Sequence, residues 1–382
     1  MRFHIVALAL TAACAVGVAT TVAPFVASAA LLARVAGLKG AWVDRLAGWR
    51  ARAVTSEPLE IRARHGALRA RLYRPDRCRG RTVILSAGVN PRGLDEPRLA
   101  TFARGIAERG VAVVTPELPD LVDFRVTPRL TDQIEDVARW AADRADLSPD
   151  GRIGLVGVSF SGGLSVVAAG RPALRDRTAF VVSLGGHGDL LRTLRFLSTG
   201  VLPDGSRRTA HDYGLTVALH NVVPGLVPPE QVEPLRAGLR RFLLASTVYM
   251  TDQEAGRRIY EESVAMEQDL PEPSRRLLRF ATTRDVEALG PLVIGTLPGF
   301  ASDPALSPER SPAPAAPVFL LHGEDDTVIP SAETVSLSRW LTERHVPVRT
   351  LVTPLISHAE VQSTSPADAL RLIRFWAGVM DR

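Results

Sequence analysis

The chain has 382 residues, enough for one α/β domain of ordinary size with a large insertion, or for two small domains. Hydrophobic residues make up 46% and charged residues 23%, the balance of an ordinary globular chain. The formal net charge is +5, but Lys39 is the only lysine and the arginines are interspersed with acids. The basic patch that nucleic-acid binding needs is missing, so no nucleic-acid partner is expected.

Ile5 to Ala33 carry no charged residue, a run longer than the roughly 20 residues needed to cross a bilayer. The N-terminal segment 1–33 is therefore expected to meet a membrane through residues 5–33. An uncleaved single-pass anchor and a secretory signal cleaved at the Ala27-Ser28-Ala29 site both fit. Arg2 precedes the run while Arg34, Lys39, Arg45, Arg50 and Arg52 follow it, and positive flanks stay cytoplasmic, which favours an anchor with the domain inside the cell. Cys14 lies within the apolar run, which leaves Cys78 without a partner and excludes zinc sites of the cysteine-rich kind. Residues 34–56 read as a linker or short helix.

From residue 57 the pattern changes. Leu59, Ile61 and Ala63 alternate with Glu60, Arg62 and Arg64, and a second run, Leu68 to Tyr73, follows a glycine-bearing connection; this predicts a hairpin with one wet face. Thr82 to Ser86 is a buried strand running into a turn-rich stretch, Ala87-Gly88-Val89-Asn90-Pro91. Leu99, Phe102 and Ile106 set a helix over Arg98 to Arg109, and Val111 to Thr115 is the next strand. Thr131 is expected to cap a helix whose apolar face holds Ile134, Val137, Ala138 and Ala141. Strands alternate with helices up to Phe180–Leu184, the signature of a parallel, doubly wound sheet with ligands at the carboxyl ends of its strands.

Arg152 to Gly163 carries the first chemical motif. An apolar run ends at Gly157, Ser159 follows after one residue, and small residues open a helix. That is close to the G-x-S-x-G nucleophile elbow, with Ser161 at the second glycine. Beyond Leu184 the alternation stops. Helical patterns around 209–221, 230–246, 252–266 and 274–283 suggest a helical cap, with a separate binding domain as the alternative. Pro304, Pro308, Pro312, Pro314 and Pro317 predict a stiff, extended lead back into the core. Val318 to Leu321 then precedes His322-Gly323-Glu324-Asp325-Asp326-Thr327-Val328-Ile329-Pro330, and Val348 to Val352 precedes a loop with Ser357 and His358. Ser365 and Pro366 start the closing helix.

In this order, Ser159, Asp326 and His358 match the Ser, Asp/Glu, His sequence of a hydrolase triad. The chain resembles the α/β-hydrolase superfamily over residues 57–382, in particular its dienelactone-hydrolase-like and esterase branches. The His-Gly-x-x-Asp-x-x-Ile-Pro segment is the most specific part of the match. The resemblance implies a core in two parts, 57–186 and 317–382, around a cap at 187–316. It also implies a serine hydrolase acting on a small carboxylic ester, lactone or thioester, without a cofactor. Its oxyanion would be held by the backbone N–H groups of Phe160 and Val89. Asp189, just past a strand, is the rival triad acid. His187 with Asp189, and His211 with Asp212 and His220, are expected to be structural and not metal-binding. An acyltransferase or haloperoxidase-type enzyme using the same triad, and a non-catalytic binding protein on the same fold, are the alternatives.

Overall fold

The computed structural model describes residues 22–78, 80–356 and 365–382. Residues 22–35 are helical (α1), followed by α2 (Ala41–Gly48). Strands β1 (Val54–Ala63) and β2 (Gly66–Pro75) form the expected hairpin, paired antiparallel from Val54↔Pro75 to Ala63↔Gly66. After β3 (Thr82–Ser86) come α3 (Pro97–Ala107), β4 (Ala112–Pro116), the short α4 (Pro119–Val122), α5 (Arg129–Ala142), β5 (Ile153–Val158), α6 (Phe160–Gly170) and β6 (Thr178–Leu184). Seven helices follow: α7 (Leu190–Thr199), α8 (Asp212–Val222), α9 (Pro229–Tyr249), α10 (Gln253–Ala265), α11 (Ser274–Thr282), α12 (Val286–Ile294) and α13 (Leu297–Ala301). The chain closes with β7 (Val318–Gly323), α14 (Ser331–Glu343), β8 (Val348–Thr353) and α15 (Pro366–Met380).

The eight strands form one sheet in the order β1-β2-β4-β3-β5-β6-β7-β8, with β3 to β8 parallel and β2 antiparallel to β4. Alternation along each strand divides the core between two faces. Ile84, Val114, Leu155, Val181 and Leu320 pack with α5, α6 and α14, whereas Val83, Leu85, Val113, Val156, Val182 and Phe319 pack with α1, α3 and α15. Helices cover both faces, so the inner strands are apolar throughout and lack a wet side. The expected fold class, a mostly parallel doubly wound sheet with helices inserted between β6 and β7, is what the chain adopts.

Two local expectations fail for identifiable reasons. Thr131 does not cap α5. The helix begins two residues earlier, after Pro128, and the Thr131 hydroxyl donates instead to the Ala305 carbonyl at 2.7 Å. The proline-rich lead is not simply extended. It makes 3-10 turns at Pro304–Leu306 and Pro308–Arg310 and buries Leu306, Ser307 and Pro308, because polar groups of the core take up its backbone. The Leu190 amide donates to the Ser307 hydroxyl at 2.9 Å, and the Glu309 amide to the Gly188 carbonyl at 3.0 Å.

Part of the apolar N-terminal run belongs to the domain. Ser28, Ala30, Leu31 and Ala33 are buried, Leu31 lies in the core cluster with Phe102 and Ile106, and Arg34 pairs with Glu108 at 3.1 Å. A side chain at Gly105 would overlap Leu31, so this position is what lets α1 approach α3. Among the described residues no helix is long and apolar enough to cross a membrane. Residues 5–21, the larger part of the expected segment, lie outside the described residues.

Candidate active site

The site is built at the carboxyl edge of β5, β6 and β7. Ser159 sits between β5 and α6 with φ 54° and ψ −129°, a sparsely populated conformation that costs on the order of 1–3 kcal/mol for a non-glycine residue. Small neighbours make it possible. A Cβ at Gly157 would lie 2.1 Å from the Ser161 carbonyl oxygen, and one at Gly88 would lie 2.9 Å from the Ser159 Cβ. Gly88 belongs to the loop after β3, so this loop rests directly against the elbow. The Ser159 amide donates to the Leu184 carbonyl at 2.6 Å, which fixes the turn to the end of β6.

Ser161 is not merely a small residue tolerated at a glycine position. Its side chain is fully buried and its hydroxyl donates to the Ala87 carbonyl, tying the β3 loop to the first turn of α6. That tie positions Val89, two residues on. Phe160 is the first residue of α6, and the leading N–H groups of a helix have no partner within it. Phe160 and Val89 both line the same cavity as Ser159.

Asp326 lies in the loop after β7 and is buried. One carboxylate oxygen accepts the amides of Val328 at 2.8 Å and Ile329 at 3.0 Å, which holds the carboxylate in one orientation. The other is 3.4 Å from Nε2 of His322 and faces Gly185 at the end of β6. His322, the histidine of the His-Gly pair, is itself locked. Its Nε2–H donates to the Ile329 carbonyl at 2.7 Å, which leaves Nδ1 to accept from the Thr334 hydroxyl at 2.7 Å. Two strand spacings of about 4.8 Å separate β5 from β7, a gap that an imidazole can span. His358, the residue expected to do so, lies outside the described residues together with Ser357.

The rival acid is occupied elsewhere. Asp189 caps α7 by accepting the Arg192 amide at 2.8 Å and pairs with Arg310 at 2.6 Å. Burial alone would raise its pKa, but these contacts outweigh burial and hold it below the usual carboxylate range. Next to it Arg192 bridges Glu309 at 2.8 Å and the fully buried Glu333 at 2.6 Å, and Glu333 also accepts the amides of Gly188 and Asp189 at 3.0 Å each. This clasp joins both ends of the cap to α14.

Of the histidines near the cap, His187 and His220 are buried and His211 is exposed. His187 stacks flat on Phe160 with ring centroids 4.5 Å apart, donates from Nε2 to the Leu306 carbonyl at 2.7 Å, and burial lowers its pKa. Burial, with Arg236, Arg240 and Arg125 nearby, drives His220 down to about 3. His211 and Asp212 contact each other at 3.1 Å, and Arg284 takes the other Asp212 oxygen at 3.2 Å. Among the described residues, no group of three or more His, Cys, Asp or Glu is placed to hold a metal ion.

A cavity of about 90 Å³ opens on Ser159. Its floor is Val89, Phe160, Val328 and Ile329 from the sheet domain, and its walls are one stripe of α7 from Leu190 to Leu197 and one of α8 from Tyr213 to Asn221. No charged side chain lines it. Asn221 spends its amide on the backbone of the 124–126 segment, accepting from the Val126 amide at 2.8 Å and donating to the Phe124 carbonyl at 2.9 Å. The Thr193 hydroxyl donates to the Asp189 carbonyl at 3.0 Å.

The strand ends that carry Ser159 and Asp326 were legible in the sequence. The Ser161 tie, the close approach at Gly88 and the Glu333 clasp were not, since each depends on a contact between segments far apart in the chain. The serine at the second glycine of the elbow was the one signal that pointed toward the first of these.

No protein-family profile matches the sequence, and no curated protein matches it. Among solved structures, the chain is similar to an acylaminoacyl peptidase from Pyrococcus horikoshii, at 13% identity and a TM-score of 0.48. That match covers 89% of this chain and 43% of the peptidase, so the chain spans less than half of the peptidase's length. It is also similar to an esterase from Pyrobaculum calidifontis, at 16% identity and a TM-score of 0.47 over 95% of this chain and 92% of the esterase. Carboxyl esterase 2 from Tuber melanosporum is similar at 14% identity and a TM-score of 0.45 over 86% of each chain.

Proposed function

We propose that the chain is a serine hydrolase that cleaves a carboxylic ester, lactone or thioester through an acyl-enzyme on Ser159. The observation that carries this reading is the backbone of Ser159. A strained conformation at a serine, cleared by Gly157 and Gly88 and opening on an apolar cavity, has a use in presenting a nucleophile. In the proposed mechanism His358 takes the Ser159 proton as the hydroxyl attacks the carbonyl. Asp326 orients the imidazole and stabilises its cation. The amides of Phe160 and Val89 receive the oxyanion, where one donor is worth about 10²- to 10³-fold in rate. His358 then protonates the leaving alcohol, and water activated by the same imidazole releases the acid.

A fluorophosphonate probe tests the reading. Labelling of the native chain that disappears in Ser159→Ala, with ester hydrolysis lost in parallel, is the expected result. Labelling that persists in Ser159→Ala overturns it.

We further propose that the part of the apolar run 5–33 that precedes the packed residues from Ser28 onward tethers the domain to the cytoplasmic side of a membrane. The uncharged run, its positive C-terminal flank, and the exposure of Val22 and Phe25 in α1 support this. Recovery of the full chain in the soluble fraction after cell lysis without detergent would count against the tether.

A further inference from the structure

We infer that the folded domain lies against an anionic lipid bilayer through the outer side of α1 and the turn into α2, with Phe25, Leu38 and Trp42 in the lipid and Lys39 and Arg45 among its head groups. This goes beyond the tether proposed above. A tether attaches the chain, whereas this surface fixes how the domain rests on the membrane.

Residues 22–33 hold no charged side chain, and Ser28, the only polar one, spends its hydroxyl on the Pro24 carbonyl at 2.7 Å. A helix that is apolar on every side belongs in a core or in lipid. α1 has a core on one side only. Ser28 and Leu31 are buried, and Leu31 fits against α3 at Gly105. Helical spacing turns Val22, Phe25 and Ala29 away from Leu31, and Val22 and Phe25 are exposed. Among the described residues no helix is long and apolar enough to cross a membrane, so α1 would meet lipid from its side.

The turn after α1 extends the same surface. Leu38 is 51% and Trp42 57% exposed, and Val35 before them is exposed as well. A Cβ at Gly40 would lie 3.6 Å from the Trp42 ring, so the indole lies back over the turn that carries Leu38 and Lys39. Tryptophan concentrates at the membrane–water boundary because its ring is apolar and its N–H is not. The unit is held firmly to the domain. Val43 and Ala47 of α2 are buried, and Arg109 donates to the Ala47 and Trp49 carbonyls at 2.7 and 3.0 Å.

Charge selects the partner. Between residues 34 and 53 stand Arg34, Lys39, Arg45, Arg50 and Arg52 against one acid, Asp44. Arg34 is taken by Glu108. Lys39, Arg45 and Arg50 are exposed, and no ion pair among the described residues involves them. An apolar protein face would cover Leu38 and Trp42 but leave these cations unanswered. A bilayer with anionic head groups answers both, with its apolar interior and its negative surface in adjacent layers. Residues 5–21, outside the described residues, carry no charge and lead directly into Val22, so the chain that adjoins this surface is itself compatible with lipid.

The test uses the full chain with vesicles of phosphatidylcholine and phosphatidylglycerol. Lipid brominated along its acyl chains quenches only the tryptophans that reach it. Quenching is expected in the native chain and should be at least about 2-fold weaker in Trp42→Phe, since an interfacial indole touches the upper acyl chain. In Lys39→Gln or Arg45→Gln the ratio of quenched to unquenched Trp42 should fall about 5-fold. All three side chains are exposed, so the fold tolerates these changes. An unchanged ratio in both charge variants overturns the assignment to anionic lipid. Flotation separates this surface from the tether. A chain that floats with vesicles in high salt while Trp42 is unquenched overturns the inference and leaves the tether standing. So does a Trp42 shielded from acrylamide yet unquenched by bromolipid, which would put residues before 22 or a second copy over the patch. Flotation only in low salt, with Trp42 quenched, supports the surface and removes the tether. No flotation in either condition overturns both.

Discussion

Replacing Ser161 by alanine should uncouple stability from catalysis in a measurable way. The hydroxyl makes one buried hydrogen bond to the half-buried Ala87 carbonyl. Removing the donor forfeits about 1 kcal/mol of net bond and leaves an acceptor poorly satisfied, so the expected loss is about 1–2 kcal/mol. Unfolding entropy of about 2.1 cal/mol/K per residue gives roughly 0.8 kcal/mol/K for 382 residues, so Tm should fall by only about 1–3 °C. Ser161→Gly restores the sequence motif yet adds about 1 kcal/mol of helix cost, so it should be the less stable of the two. Catalysis should suffer more. Ala87 leads into Gly88 and Val89, so a loosened loop misplaces Val89, the proposed oxyanion donor. Full loss of such a donor costs 10²- to 10³-fold, so a partial loss should lower kcat about 10-fold with KM little changed, because the donor acts in the transition state. Steady-state hydrolysis of nitrophenyl butyrate, run beside a thermal melt, measures both. Wild-type kcat in Ser161→Ala, with Tm lowered as expected, would refute the claim that this hydroxyl holds the loop in its working position.

Two further outcomes follow from the cap and its seat. Glu333→Ala leaves the guanidinium of Arg192 and two amides short of an acceptor, and breaking a buried pair costs about 3–5 kcal/mol, so Tm should fall by about 4–6 °C; a shift under 1 °C would show that Glu309 alone satisfies Arg192. The second concerns acid. His220 is neutral in the folded chain down to about pH 3, whereas in the unfolded chain it takes a proton below about pH 6.5. Stability is therefore lost as pH falls from about 6.5 toward 3, at up to about 1.4 kcal/mol per pH unit, and His187, shifted the same way, adds to the slope. Urea midpoints between pH 7 and 4.5 should flatten in His220→Leu; an unchanged slope would refute the assignment.

The strands were readable from composition alone because burial on both faces leaves apolar runs of five to seven residues, as in Thr82–Ser86 and Thr178–Leu184. The cap was readable as helices over 209–221, 230–246, 252–266 and 274–283, but α7 and α12 were not among the patterns read; α12 carries Pro291 in its interior. Thr131 also misled. A threonine ahead of an apolar stripe reads as a cap until Pro128 and the distant Ala305 carbonyl are known. Asp326 stood out through its dense local motif, whereas the pairing of Asp189 with the distant Arg310 had no signal in the sequence.

The backbone bond between Glu309 and Gly188 brings the two ends of a 120-residue excursion side by side. Closing a loop of that size grows only logarithmically more costly with length, about 0.6 kcal/mol per doubling. The excursion can therefore gain or lose whole helices with little effect on the sheet beneath, provided the two junctions stay sealed. In evolutionary terms the junctions make the roof of the site an exchangeable part. New selectivity would then arise by redrawing that roof while the strained serine and its supporting loops stay as they are.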